Sequence, residues 1–164
     1  MSHASITLTE LLADNEASTN KWHAWFTANP DALHASCDIY NSHSVRDFLK
    51  HIFAVELRHS QRLTDKNVTA YDAITTASLD DLFAFHTQAV ANLRQFLSQA
   101  GDTIDESIEL QTVSAGTLHA SRRKLFAHVL LHSLRHWAQM TTILRQQGWK
   151  TDWPKDFLFS EAMK

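Results

Sequence analysis

Three histidines occur at successive spacings of four in the apolar stretch from Leu125 to Gly148: His128, His132 and His136. On a helix, which turns by about 100° per residue, all three lie within roughly 40° of His132 and so share one stripe. Leu125 and Val129 belong to the same stripe, so we expect the histidines to point inward. A neutral imidazole has a donor and an acceptor to satisfy, and a divalent metal takes one ring nitrogen while a neighbouring acceptor takes the other.

The spacing limits how a metal ion could be held. Eight residues of helix rise about 12 Å, so one ion cannot reach both His128 and His136, and only an adjacent pair can chelate it. The pattern alone does not say which pair. A structural role is the alternative, because two histidines four residues apart are about as often hydrogen-bonded core residues as ligands. A third ligand on another helix would favour the metal.

A candidate third ligand, His51, lies in the stretch from Ser44 to about Lys66. His51 falls between Phe48 and Val55 on the stripe predicted to be buried. Glu56 is about 140° from that stripe, so we expect it in a solvated or interhelical ion pair unless the bundle buries that face. His59 is about 80° round, near Arg58 and Arg62, which makes His51 the better inward histidine.

Capping signals predict four helices. Each helix is opened by a Ser or Thr ahead of an apolar run, at Thr7, Ser44, Ser78 and Ser121. The first is expected to stop before Asn29-Pro30 and to place Asn15 inward in a helix-to-helix hydrogen bond. The third carries His86 in a structural role and ends at Gly101. The segment Pro30 to His43 is predicted to be a connecting loop.

The segment from Asp102 to Ala120 is predicted to be different. Ile108, Leu110 and Val113 indicate a short extended piece, followed by a turn at Ala115-Gly116. We therefore predict an all-α protein, a four-helix bundle with a long crossover segment before the last long helix, in a single domain over residues 1–164. The tail, with Trp149, Trp153 and Phe157, is expected to pack back on the bundle.

Composition narrows the functional class. The formal charge of −3, with Lys and Arg scattered, gives no basic stripe for nucleic acid. A single cysteine, Cys37, excludes an internal disulfide. No apolar run approaches membrane-spanning length, and the first residues lack the pattern of a signal peptide. We expect a cytoplasmic protein without nucleic-acid or membrane partners.

A second apolar stripe on the last helix bears on assembly. It contains Phe126, Leu130, Leu134 and Trp137, on the side away from the histidines. The tail and the crossover segment cover this stripe, or the stripe is a dimer interface. The spacing of its apolar residues is compatible with both arrangements. We predict a homodimer in which this stripe forms the contact and each metal site stays within its own subunit.

These residues resemble the DinB-like (DinB/YfiT-type) metal-binding four-helix bundles. The segment SVRDFLKHIFAVELRHSQRL resembles the family stretch in which a ligand histidine, here His51, precedes an Ala-x-Glu-like sequence. The last helix resembles the family segment HxxxHxxxHxxQ, so that His132 and His136 fall on ligand positions, Gln139 on a frequent Gln and His128 on a non-ligand His. The ending around Leu144-Arg145 and Gly148, and the DFL of Asp156 to Leu158, are similar too.

The resemblance implies a site of three histidines, His51, His132 and His136, for nickel or zinc, with water in the open positions. Some relatives are S-transferases or isomerases that use a low-molecular-weight thiol, which implies a small thiol and an electrophilic substrate here. Two departures concern the substrate side: His-Trp-Ala-Gln at 136–139 replaces the frequent His-Arg-Gly-Gln, and Arg135 precedes the ligand. The family's frequent dimers agree with the predicted homodimer.

Three functions compete. The first is a metal-dependent, thiol-using transferase, because three protein nitrogens leave room for a thiol that the cation would deprotonate. The second is a metal-dependent hydrolase, for which no Glu stands beside the histidines as in HExxH. The third is a non-enzymatic stress-response module in which the ion only ties two helices together.

Overall fold

The computed structural model describes residues 5–112 and 116–162, and four long helices dominate them. They are α1 (Leu8–Ala28), α2 (Val45–Leu63), α3 (Leu79–Gln99) and α4 (Arg122–Gln146). Helix α2 packs against α3 and α4, and α1 packs against the same two helices. The four-helix bundle predicted from the sequence is confirmed. None of the described helices combines the length and the apolar character that crossing a membrane requires.

The crossover between α3 and α4 holds more structure than predicted. Strands β1 (Ser107–Thr112) and β2 (Gly116–Ser121) pair antiparallel, with Leu110 opposite Leu118. The single extended piece predicted around Ile108 and Leu110 is therefore one half of a hairpin. The polar composition of β2 hid the second strand, whose residues are mostly exposed. Val113 and Ala115, named in the predicted extended piece and turn, lie outside the described residues.

Side-chain caps set where the helices begin, as predicted. Thr7 and Glu10 form a reciprocal capping box on α1, and Ser44 and Asp47 form another on α2. The hydroxyls of Ser78 and Ser121 accept backbone N–H bonds at the starts of α3 and α4. These bonds satisfy donors that the first helical turn leaves unpaired.

Two predicted boundaries need correction. Helix α2 ends at Leu63 rather than near Lys66, because Asp65 adopts a left-handed φ of 52° that stops the helix. The predicted loop from Pro30 to His43 contains a short 3-10 helix, Pro30–His34, which proline favours at its first position.

A buried carboxylate joins all four helices. Glu56 of α2 is 1% exposed. Its Oε1 accepts hydrogen bonds from Ser133 Oγ at 2.5 Å and from Asn15 Nδ2 at 3.4 Å. Its Oε2 lies 2.6 Å from Nδ1 of His86. Of the two environments expected for Glu56, the interhelical one is correct and the solvated one is wrong, because α3 and α4 cover that face. The helix-to-helix bond expected for Asn15 is confirmed.

The second apolar stripe of α4 is mostly covered within the chain. Phe126, Leu130 and Trp137 are at most 5% exposed. Trp137 stacks on Trp22 of α1 with ring centroids 5.2 Å apart, and Phe126 lies 5.9 Å from Phe96 of α3. These three side chains are therefore not available for the predicted dimer contact, because α1 and α3 pack on that side.

The tail covers part of the same side, as predicted. Trp153 packs edge-on against Trp22 at 5.1 Å. Between the tail and the bundle lies a cavity of about 440 Å³ whose lining includes Leu134 and Phe157. Leu131 and Leu134 remain 56% and 52% exposed. The homodimer itself stays a prediction, and the exposed large apolar side chains that α4 offers it are these two leucines.

We predict that Glu56→Ala lowers the free energy of unfolding by about 3–5 kcal/mol, because it leaves buried partners on three helices unpaired. Urea denaturation measures this. Glu56→Gln, which keeps an acceptor oxygen, should cost less. Glu16→Ala is the matched control, because Glu16 pairs with the exposed Arg94 on the surface, and it should cost less than about 1 kcal/mol. Equal losses for Glu56→Ala and Glu16→Ala would contradict this role.

Candidate metal centre

Helices α2 and α4 bring three histidines together. His51 comes from α2, and His132 and His136 come from consecutive turns of α4. One ring nitrogen of each lies within 4.8 Å of the others. His132 and His136 are buried and His51 is half-buried. The structure therefore brings His132 and His136, one of the two adjacent pairs, together with His51.

The two histidines of α4 face each other through their Nε2 atoms, which are 2.9 Å apart. Nδ1 of His136 lies 2.6 Å from Oε1 of Gln139. Because an amide oxygen only accepts, Nδ1 of His136 carries the hydrogen and its Nε2 presents a lone pair. This is how an outer hydrogen bond orients a histidine that ligates a metal.

The polar atoms of the triad fit a divalent ion. Nε2 of His51 is buried and has no hydrogen-bond partner within the described part of the chain. An unpaired buried nitrogen is costly unless something else satisfies it. Two nitrogens that share one ion at about 2.0–2.1 Å are separated by roughly 3.0–3.4 Å, close to the 2.9 Å between His132 and His136. The site thus has the donor set that zinc or nickel accepts.

The triad is neutral at physiological pH. Burial, and then the nearby His136, lower the pKa of His51 to about 4. Burial, and then the neighbouring histidines, lower the pKa of His132 to about 2. Burial also lowers the pKa of His136, partly offset by its bond to Gln139. Neutral imidazoles can ligate a cation without first losing a proton.

Two aromatic rings enclose the triad. Phe48 is fully buried, and its ring lies 5.0 Å from that of His136. Tyr40 stacks on His51 at 4.9 Å with an angle of 8° between the rings, and it meets His136 edge-on at 5.4 Å. Tyr40 is 59% exposed, so it forms the solvent side of the site. Sequence reasoning missed it because it lies in the segment predicted to be a loop.

His128 does not share the buried position expected for it. It is exposed, and its ring lies 5.6 Å from His132 and 5.7 Å from His59. The inward orientation predicted for all three α4 histidines is therefore wrong for this one. His86 lies elsewhere, bonded to Glu56, in agreement with the structural role expected for it.

Comparison with known proteins identifies the family. The model of the DinB family matches residues 1–163. The chain belongs to the DinB family. Its fold is similar to that of a DinB-like protein, YjoA, from Bacillus subtilis, with a TM-score of 0.60 and 16% identity over 90% of this chain and 94% of that one. No match was found among curated proteins.

We predict that the metal-free protein loses stability as the pH falls from 7 to 5. Unfolded histidine has a pKa of about 6.5, whereas His132 in the folded chain has a pKa of about 2. The unfolded state then binds more protons, so the stability present above about pH 6.5 declines as the pH falls below it. His132→Gln should reduce the loss measured by urea denaturation by about 1–2 kcal/mol.

The control for that measurement is His34→Gln, which changes an exposed histidine. It should leave the pH dependence as in the wild type. A His132→Gln variant with the wild-type slope would show that this ring takes up a proton in the folded protein.

Proposed function

We propose that His51, His132 and His136 hold one divalent metal ion, nickel or zinc, in a DinB-family enzyme with thiol-dependent S-transferase activity. The observation that supports this most is the convergence of three neutral ring nitrogens, with a buried, unpartnered Nε2 on His51. Three protein nitrogens leave positions open for a small ligand. When bound, such an ion lowers the pKa of a coordinated thiol and supplies a nucleophile at neutral pH.

The surrounding residues have separate roles in this proposal. Gln139 fixes the hydrogen of His136 on Nδ1 and keeps its Nε2 free for the ion. Phe48 holds the His136 ring from the buried side. The exposed Tyr40 ring forms a wall at the entrance, against which an apolar part of an electrophilic substrate can pack.

The two other functions are less well supported. A hydrolase needs a general base near the metal-bound water, and the carboxylate of Glu56 is engaged by Ser133, Asn15 and His86 in the core. A purely structural ion would need no access from solvent, whereas Tyr40 places the edge of the triad at the surface.

Optical titration tests the proposal. Protein purified without an affinity tag and loaded with cobalt(II) should gain a thiolate-to-metal charge-transfer band when 2-mercaptoethanol is added. His51→Ala and His136→Ala should bind cobalt more weakly and lose the band. The matched control is His128→Ala on the same helix, which should keep both, because His128 lies outside the triad.

The alternatives give different results. Tight cobalt binding with a spectrum that thiol leaves unchanged would support the structural module. Cobalt binding that survives the loss of His51 and His136 would contradict the three-histidine site itself.

A further inference from the structure

Near the triad lie three arginines, Arg58, Arg62 and Arg135, that form no ion pair with any described carboxylate. Within residues 5–112 and 116–162, the arginine ion pairs are made by Arg94, Arg122 and Arg123. We call the surface strip formed by these arginines and two neighbouring histidines the basic groove: Arg58, His59, Arg62, His128 and Arg135. The chain has a formal charge of −3, so this local concentration of positive charge contrasts with the rest of the molecule. Such a concentration attracts anions.

The basic groove continues from the triad along α2. Arg58 and Arg62 follow His51 by seven and eleven residues, so they fall on its stripe of the helix. Arg62 Nη1 lies 3.5 Å from Nδ1 of His59. The His59 ring is 5.7 Å from that of His128. His128 in turn lies 5.6 Å from the triad residue His132, so the two sites are contiguous.

The donors of the groove are incompletely satisfied. Nε of Arg58 is buried and has no acceptor among the described residues. Arg62 Nη1 donates to the carbonyl of Arg58, one turn back on its own helix, at 3.2 Å. A guanidinium carries five N–H donors in a planar fork that matches a carboxylate or a phosphate. Among the described residues the groove therefore carries positive charge that no ion-paired carboxylate offsets.

The positive charge also acts on the imidazoles. Burial, then Arg62 and His128, lower the pKa of His59 to about 3. At neutral pH the arginines thus carry the charge of the groove, and the neutral ring of His59 can offer one N–H.

We propose that the basic groove binds an oxyanion, the carboxylate or phosphate group of a small molecule. Charge-assisted hydrogen bonds from a guanidinium group to a carboxylate or phosphate are about twice as strong as hydrogen bonds between neutral groups. Oxyanion binding needs no metal. The further step, that the same molecule reaches the triad with its reacting group, rests on the proposed function. Two helical turns, about 12 Å, separate His51 from His59, so the ligand is a metabolite with its anionic group remote from its reacting atom.

Imidazole NMR of the metal-free, full-length protein tests the groove. Inorganic phosphate and succinate are titrated separately at constant ionic strength, and the ¹H–¹⁵N signals of His59 and His128 are followed. We expect saturable shifts with at least one anion, and the stronger binder shows whether the site prefers phosphate or carboxylate. Arg62→Gln and Arg135→Gln should weaken binding at least about tenfold. Arg145→Gln, an exposed arginine further along α4, should not.

Arg135 is exposed, so its variant tests the groove even if Arg62→Gln disturbs folding. Linear shifts with both anions, or equal affinity in Arg135→Gln and wild type, would overturn the inference. Failure of the two proposals can be told apart. Saturable phosphate binding without a thiol-dependent cobalt band would support the anion site and contradict the proposed transferase activity. A cobalt band without saturable anion binding would contradict only the anion site.

Discussion

The site depends on the register between α2 and α4, and one buried carboxylate fixes it. Glu56 lies five residues after His51 on α2, and its partner Ser133 directly follows His132 on α4. A slip of one residue moves a side chain by about 1.5 Å and 100°, which would separate the triad. Because Glu56 also contacts Asn15 and His86, the same group orients α1 and α3.

The triad is costly without an ion. Burial holds the rings of His51 and His132 in the neutral form. It also leaves Nε2 of His51 and Nδ1 of His132 without partners in the described residues. The bundle thus places nitrogen donors where water cannot fully satisfy them. An ion that ligates Nε2 of His51 offsets part of that cost, so metal binding and folding are expected to be coupled.

Much of the fold follows from local sequence signals. The capping residues Thr7, Ser44, Ser78 and Ser121 locate the helix starts because each satisfies a donor of its own first turn, which is a short-range interaction. Helical periodicity likewise put His132 on a buried face. Helical periodicity could not predict the burial of Glu56 or of Trp137, because that burial depends on which other helices pack on a second face of the helix. The place of Tyr40 beside the triad could not be predicted from the sequence for a similar reason. Its left-handed φ of 51° and its stacking on His51 depend on tertiary contacts.

In the function we propose, three ring nitrogens from two helices share one ion. Anomalous X-ray diffraction at the zinc or nickel edge, from crystals of tag-free protein, tests it most directly. We predict one strong peak within bonding distance of His51, His132 and His136, with at least one non-protein ligand completing the coordination. A peak bound by any other set of residues, or a fully loaded crystal in which one of these three rings points away from the ion, would contradict it.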